Sequence, residues 1–372
     1  MKKILVLGCT GSIGSQTLDI IRAMPDDFCV AGLSAGHDAE KLSLLCKEFN
    51  CPGTVFVNDG IEGIRRLVQE CGADIAVNGI AGAAGLDPSV LVLESGMNLA
   101  LANKETVVMA WPLVQQLAAR QHAQIIPVDS EHSAVFSLLQ QIGSDAAAEL
   151  IITASGGPFR TYSDEQLQHV TLEQALQHPT WNMGKKITID SATLANKGLE
   201  VIEACRLFGF PADRVKVLVH PQSLVHSLVR TKDGMLYAQI SNPDMRRPIF
   251  GALAYPAVRE NYLEPFDLAG HEMTFSAPRM QSFPLLPLAY ECARKGNSYT
   301  IAFNAANEIA VNAFLSEACS FPQIAGIVQS VLQHDWSMAA DSLPAVFDAD
   351  KKARNEAQAA LVSITGGQHC LH

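Results

Sequence analysis

Short apolar runs that end at glycine-rich turns alternate, over the first third of the chain, with longer stretches whose apolar positions recur every three or four residues. Ile4 to Leu7 leads through Gly8-Cys9-Thr10-Gly11-Ser12-Ile13-Gly14 into a helical pattern ending at Met24. Phe28 to Ser34 follows, then Thr54 to Val57 with a helix through Cys71, Ile75 to Asn78, Pro88 to Glu94, Asn98 to Leu101, Glu105 to Arg120 and Gln124 to Val128. Alternation of this kind builds a doubly wound parallel sheet, with ligands expected at the carboxyl ends of its strands.

Beyond Val128 the pattern changes. A helix is expected over 133–142, strands over Glu149 to Thr153 and Ile187 to Ser191, and a helix over Ala192 to Ala204. Val215 to Val219, Leu224 to Val229 and Leu236 to Ile240 read as strands of a second, largely antiparallel sheet. A short helix begins near Pro243 and ends near Tyr255, and Pro256, Pro265, Pro278 and Pro284 punctuate a connector. Amphipathic patterns over Leu285 to Arg294, Ile301 to Leu315, Phe321 to Gln333 and Asp348 to Leu361 suit a small helical bundle. The expected division is 1–129, 130–254 with a lid at 178–187, a linker at 255–283, and 284–372. The fold class is α/β: a doubly wound parallel sheet, a central α+β domain and a C-terminal helical bundle.

Composition narrows the partners. With 372 residues there is ample chain for a sizeable core, and 17% charged residues is ordinary for a globular protein. A formal net charge of -11 argues against broad nucleic-acid binding, because no basic excess is available to neutralise a phosphate backbone. A small phosphorylated substrate needs only a local pocket and stays open. The nine cysteines are scattered without a CxxC pair, which reads as reduced thiols in a cytoplasmic protein. The apolar run after Met1-Lys2-Lys3 stops at Leu7, too short for a signal peptide, and no run approaches the roughly 20 residues of a membrane span.

Candidate chemistry sits where strands end. The GxxGxxG turn between strand and helix fits a dinucleotide pyrophosphate, since glycine lets the backbone approach and the helix start offers free N–H groups. The following strand ends on small neutral residues, Ser34 and Ala35, which leans toward NADP over NAD; no Arg or Lys follows at once, and Asp38 would repel a 2′-phosphate if it pointed inward. Asp129 and Glu131 are spaced i and i+2, which in extended backbone aims both carboxylates one way and suits a hard divalent cation. Taken alone the stretch reads first as a helix cap, Asp129 or Ser130, with Glu131 in the first turn, and the metal reading draws its support from elsewhere in the chain. Lys104 lies at a neighbouring strand end. Ala154-Ser155-Gly156-Gly157 suits a phosphate or an empty turn. His178 to Lys186, carrying Trp181 and Gly184, fits a closing lid or a surface loop. Ser191, Asn196 and Lys197 group a hydroxyl, an amide and an ammonium, the donors of a phosphomonoester pocket. Glu200 and Glu203 share one helix face, and periodicity does not choose between them. His220 and His226 fit structural roles as readily as catalytic ones.

Eight motifs together are more specific: GCTGSIG at 8–14, LANKE at 101–105, PVDSEH at 127–132, ASGGPF at 154–159, HPTWNMG at 178–184, DSATLANKGLE at 190–200, HPQSLVHSLV at 220–229 and FNAANE at 303–308. In order and spacing the chain resembles the 1-deoxy-D-xylulose 5-phosphate reductoisomerases over essentially its whole length. That resemblance implies a Rossmann-type N-terminal domain and NADPH-dependent rearrangement and reduction of a small phosphorylated sugar with Mg²⁺, Mn²⁺ or Co²⁺. It implies a homodimer too. By the match, Asp129, Glu131 and Glu200 would hold the metal. Ser155, His178, Ser191, Asn196 and Lys197 would grip the phosphate, and Lys104 and Ser130 would contact the reacting oxygens. Trp181 and Met183 would belong to the lid, with His226 and Met245 lining the pocket. Thr10, Gly11, Ser12, Ile13, Gly36, His37, Asp38, Asn103, Glu105 and Gly184 would lie at the cofactor. Many members carry a cationic pair where this chain has His37-Asp38, so a narrower preference for NADPH over NADH is expected. A plain NAD(P)-dependent dehydrogenase of a small aldehyde, without a working metal, is the alternative; a cofactor-sensing regulator is a third reading.

Overall fold

A computed structural model describes residues 1–181 and 183–366, so Asn182 of the HPTWNMG motif lies outside the described residues. Contacts group the chain into two compact units. The first comprises 1–107, 111–137 and 244–267; the second comprises 108–110, 138–243 and the described residues from 268 onward. No helix among the described residues is long and apolar enough to cross a membrane.

The first unit holds six strands: β1 (Lys2–Leu7), β2 (Phe28–Ala35), β3 (Gly53–Val55), β4 (Ile75–Asn78), β5 (Asn98–Leu101) and β6 (Ile125–Pro127). They lie in the order β3-β2-β1-β4-β5-β6, and every pairing is parallel. Strand order reverses between β1 and β4, the topological switch where such sheets open a crevice. Ile4, Leu5, Val6 and Leu7 are fully buried, the continuous apolar run of a strand covered on both faces.

One helix of this unit comes from late in the chain. Arg246–Ala254 contributes Ile249, Phe250, Leu253 and Ala254 to the core cluster that contains Ile4, Leu18 and Phe28. Phe250 meets Phe28 edge to face at 6.1 Å. The Lys2 ammonium donates to the carbonyls of Leu253 at 2.7 Å and Tyr255 at 3.0 Å, satisfying acceptors that the helix end leaves free. The sequence boundaries set 244–254 with the central domain, whereas its packing joins the first sheet.

The helix Lys104–Gln121 breaks at Ala110. Pro112 has no N–H to give Val108, so that carbonyl accepts instead from Arg206 Nη1 at 2.7 Å and Thr300 Oγ1 at 2.9 Å. Burial lowers the Arg206 guanidinium to about 10.

In the second unit β7 (Ala147–Ala154), β8 (Val215–Val219), β9 (Val225–Thr231) and β10 (Leu236–Ile240) form a sheet ordered β10-β9-β7-β8. Only the β7/β8 pairing is parallel, as the sequence pattern anticipates for a largely antiparallel sheet. Four helices, Leu285–Lys295, Tyr299–Leu315, Phe321–Leu332 and Leu343–Thr365, make the bundle; the last starts five residues before the expected Asp348, capped by the Ser342 hydroxyl accepting from Ala345 N–H.

The strand expected over Ile187 to Ser191 does not form. Lys185–Ala192 is a helix. Its β-branched residues favour extended backbone, but Thr188 Oγ1 donates back to Gly184 O at 2.9 Å and Asp190 pairs with Lys186 one turn earlier at 2.8 Å. Asn307, from the helix Tyr299–Leu315, donates to the other oxygen of the buried Asp190 at 2.8 Å. Tertiary context overrides local preference here.

Candidate active site

At the first crevice, β1 hands over to the helix Ser12–Ala23 through the glycine turn. Gly8 adopts φ +80°, a region costly for other residues, and its N–H bonds to Ser34 O at 3.0 Å. A Cβ on Gly14 would stand 2.3 Å from Gly8 O. No side chain caps this helix, so its first N–H groups remain available to an anion. Gly36 has open space where a side chain would project. The Asp38 carboxylate is turned away to cap the helix Ala39–Phe49, accepting from Lys41 N–H at 2.9 Å.

Asn103 fills the floor beside this turn. It is 1% exposed, and its amide donates to Ile80 O, Gly82 O and Glu105 Oε2 at 2.8–2.9 Å while its oxygen accepts from Thr106. Asn78, which sequence reasoning passed over, does the same work one strand away, donating to Gly85 O and Ser89 Oγ. Its signal was there: a lone amide at the last position of an otherwise apolar strand.

The backbone at Asp129 and Glu131 is not extended. A helix runs from Ser130 to Ile142, Asp129 precedes it and accepts from Glu131 N–H at 3.2 Å, and Glu131 occupies the first turn. The two carboxylates are therefore gathered by a helix start, whose partial positive charge favours them, and not by strand alternation. Lys104 Nζ donates to Asp129 Oδ2, Ser130 Oγ donates to Glu131, and the fully buried His132 places Nδ1 3.6 Å from Asp129 Oδ1. His132 was not singled out from the sequence.

In the second unit a hydroxyl–imidazole–hydroxyl chain assembles from three motifs. His178 Nε2 lies 3.0 Å from Ser155 Oγ and 3.1 Å from Ser191 Oγ. Its Nδ1 accepts from the N–H groups of Thr180 and Trp181, at 3.1 and 2.8 Å, which fixes the tautomer with the proton on Nε2. Burial, aided by the Arg160 guanidinium, lowers His178 to about 4, so the ring is neutral at pH 7. Glu200 is 1% exposed and accepts from Asn196 Nδ2 at 2.6 Å and from Lys197. Trp181, half-buried, tilts against the His226 ring at 6.3 Å, and His226 Nε2 is 3.2 Å from Ser241 O. His220 is structural, stacked on Phe275 with both ring nitrogens bonded to backbone. Met245 packs on the core of the first unit.

Models of 1-deoxy-D-xylulose 5-phosphate reductoisomerase match residues 4–61 and 52–111, and models of its C-terminal regions match 125–208 and 240–356. The chain belongs to this family. A reductoisomerase from Treponema pallidum (strain Nichols) is 48% identical over 360 residues, covering 95% of this chain and 96% of the relative. That of Treponema denticola is 46% identical over 376 residues, with 98% and 99% covered. The solved reductoisomerase of Zymomonas mobilis in complex with NADPH superposes with a TM-score of 0.89 at 40% identity, over 97% of this chain and 99% of that one. A reductoisomerase solved with NADPH, fosmidomycin and magnesium gives 0.90 at 36% identity, over 99% and 100%.

Proposed function

We propose that this chain catalyses the NADPH- and divalent-cation-dependent conversion of 1-deoxy-D-xylulose 5-phosphate to 2-C-methyl-D-erythritol 4-phosphate, a step of the non-mevalonate isoprenoid route. The supporting observation is family membership along nearly the whole chain, with each chemistry-bearing motif present. It leaves the plain dehydrogenase reading without a feature of its own.

The residues fit both groups. The turn at Gly8 to Gly14 can close tightly enough to present its N–H groups to a pyrophosphate because Gly14 carries no Cβ to collide with the backbone of Gly8 and Cys9. Thr10 to Ile13, Gly36 to Asp38, Asn103, Glu105 and Gly184 surround the dinucleotide in this reading, with Asn103 shaping the floor through its fully used amide. Asp129, Glu131 and Glu200 are hard oxygen donors and would hold Mg²⁺, Mn²⁺ or Co²⁺. When bound, the cation stabilises negative charge on vicinal substrate oxygens and NADPH supplies hydride.

The chain's own groups do the rest. Lys104 and Ser130 hold the reacting carbonyl and hydroxyls. Ser155, Ser191, Asn196 and Lys197 bind the phosphate, and neutral His178 donates its Nε2 proton toward it. The phosphate lies remote from the bond being broken, so its binding energy is available to close Trp181 and Met183 over the substrate and exclude water. His226 and Met245 complete the lining.

A homodimer fits β10, an outer strand with no further strand beside it among the described residues, where Leu236 is 47% and Tyr237 43% exposed and Met235 just before it 59%. The eight described cysteines are free thiols. In this reading the unit of 1–107, 111–137 and 244–267 carries the cofactor cradle, and the unit of 138–243 carries the phosphate-binding groups, with the helices from 285 onward as support. The deciding experiment follows NADPH absorbance on adding deoxyxylulose phosphate after exhaustive chelation, then after restoring Mg²⁺. No turnover without metal and recovery with it are expected; turnover that survives chelation overturns the reading.

A further inference from the structure

We propose that Lys41 is the residue that selects NADPH over NADH in this chain, by placing its ammonium against the 2′-phosphate of the adenosine ribose. The inference rests on the reading of the first crevice as the dinucleotide site. In such sheets the ribose lies between the glycine turn after β1 and the end of β2, where an acid holds a 2′-hydroxyl or a cation accommodates a 2′-phosphate. Here β2 ends on buried Ser34 and Ala35, and Gly36 beyond them leaves open space. Neither end residue is acidic, so nothing at the strand tip is built to take the two ribose hydroxyls of NADH.

Asp38, the first acid after the strand end, is already committed, and Glu40 follows it in the exposed first turn of the next helix. Asp38 spends its Oδ1 on the N–H of Lys41, at the positive end of the helix Ala39–Phe49, which stabilises its charge where it stands. That same helix turn directs the Lys41 side chain back across the crevice: Nζ lies 3.4 Å from Thr10 O, in the middle of the glycine turn. Lys41 thus bridges the two segments between which the ribose lies. It is exposed, and among the described residues no salt bridge holds its ammonium. The contiguous pattern after Gly36 hides this cation, because it sits one helical turn further on and reaches its place only through the helix that Asp38 caps.

The cap uses the backbone N–H of residue 41, so Lys41→Ala retains it and places a strong helix former in the first turn. The test is calorimetric titration of the metal-free protein with NADPH and with NADH, for wild type, Lys41→Ala and Lys41→Arg, alongside kcat/KM with each cofactor. Loss of one exposed charge-assisted contact should weaken NADPH binding by about tenfold, lower the NADPH-to-NADH ratio by a similar factor, and flatten the salt dependence of NADPH binding. Lys41→Arg should retain most of the preference. A wild type that prefers NADPH and an alanine variant with the same ratio would overturn the assignment to Lys41 alone; so would equal loss for both cofactors. Failure of the wild type to bind either dinucleotide would instead remove the crevice reading on which it stands.

Discussion

Glu200 is where a single atom tests the most. Replacing it by Gln keeps shape and the bond from Asn196 but removes a charge that the cation needs, so Glu200→Gln should cut turnover by more than about a hundredfold. Calorimetry should find NADPH affinity within about twofold of wild type, since the metal serves the substrate half; equal loss of cofactor binding would show this glutamate misplaced. His178 makes a prediction about pH. Its folded value of about 4 lies below the 6.5 of a free imidazole, so as pH falls through 6.5 the unfolded chain gains a proton that the folded chain refuses. Stability contributed by the neutral ring is whole above 6.5 and is lost as pH drops toward 4. Urea midpoints at pH 7.5 and 5 should fall further in wild type than in His178→Gln; parallel falls would contradict it. The polar character of Ser155, His178 and Ser191 was legible in the sequence, and the fold brings these three together. What was not legible is charge state and partner: the neutral tautomer of His178 depends on two backbone N–H groups that only the folded loop brings to Nδ1.

Among elements, the misread one is Lys185–Ala192. Three β-branched residues in a row point to a strand, and the groups that reverse the outcome are Lys186 four residues before Asp190 and Asn307 more than a hundred after it. A distant amide leaves no trace in local periodicity. The carboxylate pair at 129–131 shows the converse: of the two local readings, strand alternation and a helix start with Glu131 in its first turn, the second is the one that forms. The parallel first sheet and the second sheet were legible because burial on one or both faces writes itself as period or run length, whereas strand order was not. Packing between helices is written only in small residues. A Cβ at Gly198, on the helix Ala195–Phe208, would lie 2.6 Å from Ala289 Cβ on Leu285–Lys295. Alanine there gains about 1 kcal/mol of helix propensity and costs about 1–3 kcal/mol of overpacking. With both backbones fixed in helices the clash should win, and Gly198→Ala should lower the thermal midpoint by a few degrees; an unchanged or raised midpoint would mean the helices slide apart freely.

For the whole molecule, β10 gives a measurable consequence. Leu236→Lys with Ile240→Lys places two charges along the exposed edge, and sedimentation equilibrium should show the proposed dimer dissociating while far-ultraviolet circular dichroism stays unchanged. A dimer unaffected by both charges would move the interface elsewhere. Domain boundaries were the least legible feature, because membership of a core is decided by what a helix covers and not by where it falls in the chain. Arg246–Ala254 covers the residues that Ile4 and Phe28 begin. A ribosome therefore releases the amino-terminal sheet long before its last lid of apolar side chains exists, and the nascent chain must be sheltered in the interval. Residues 1–137 made alone should precipitate, and the same stretch tethered to 244–267 should stay in solution; translation order, as much as sequence, then governs how this protein reaches its native state.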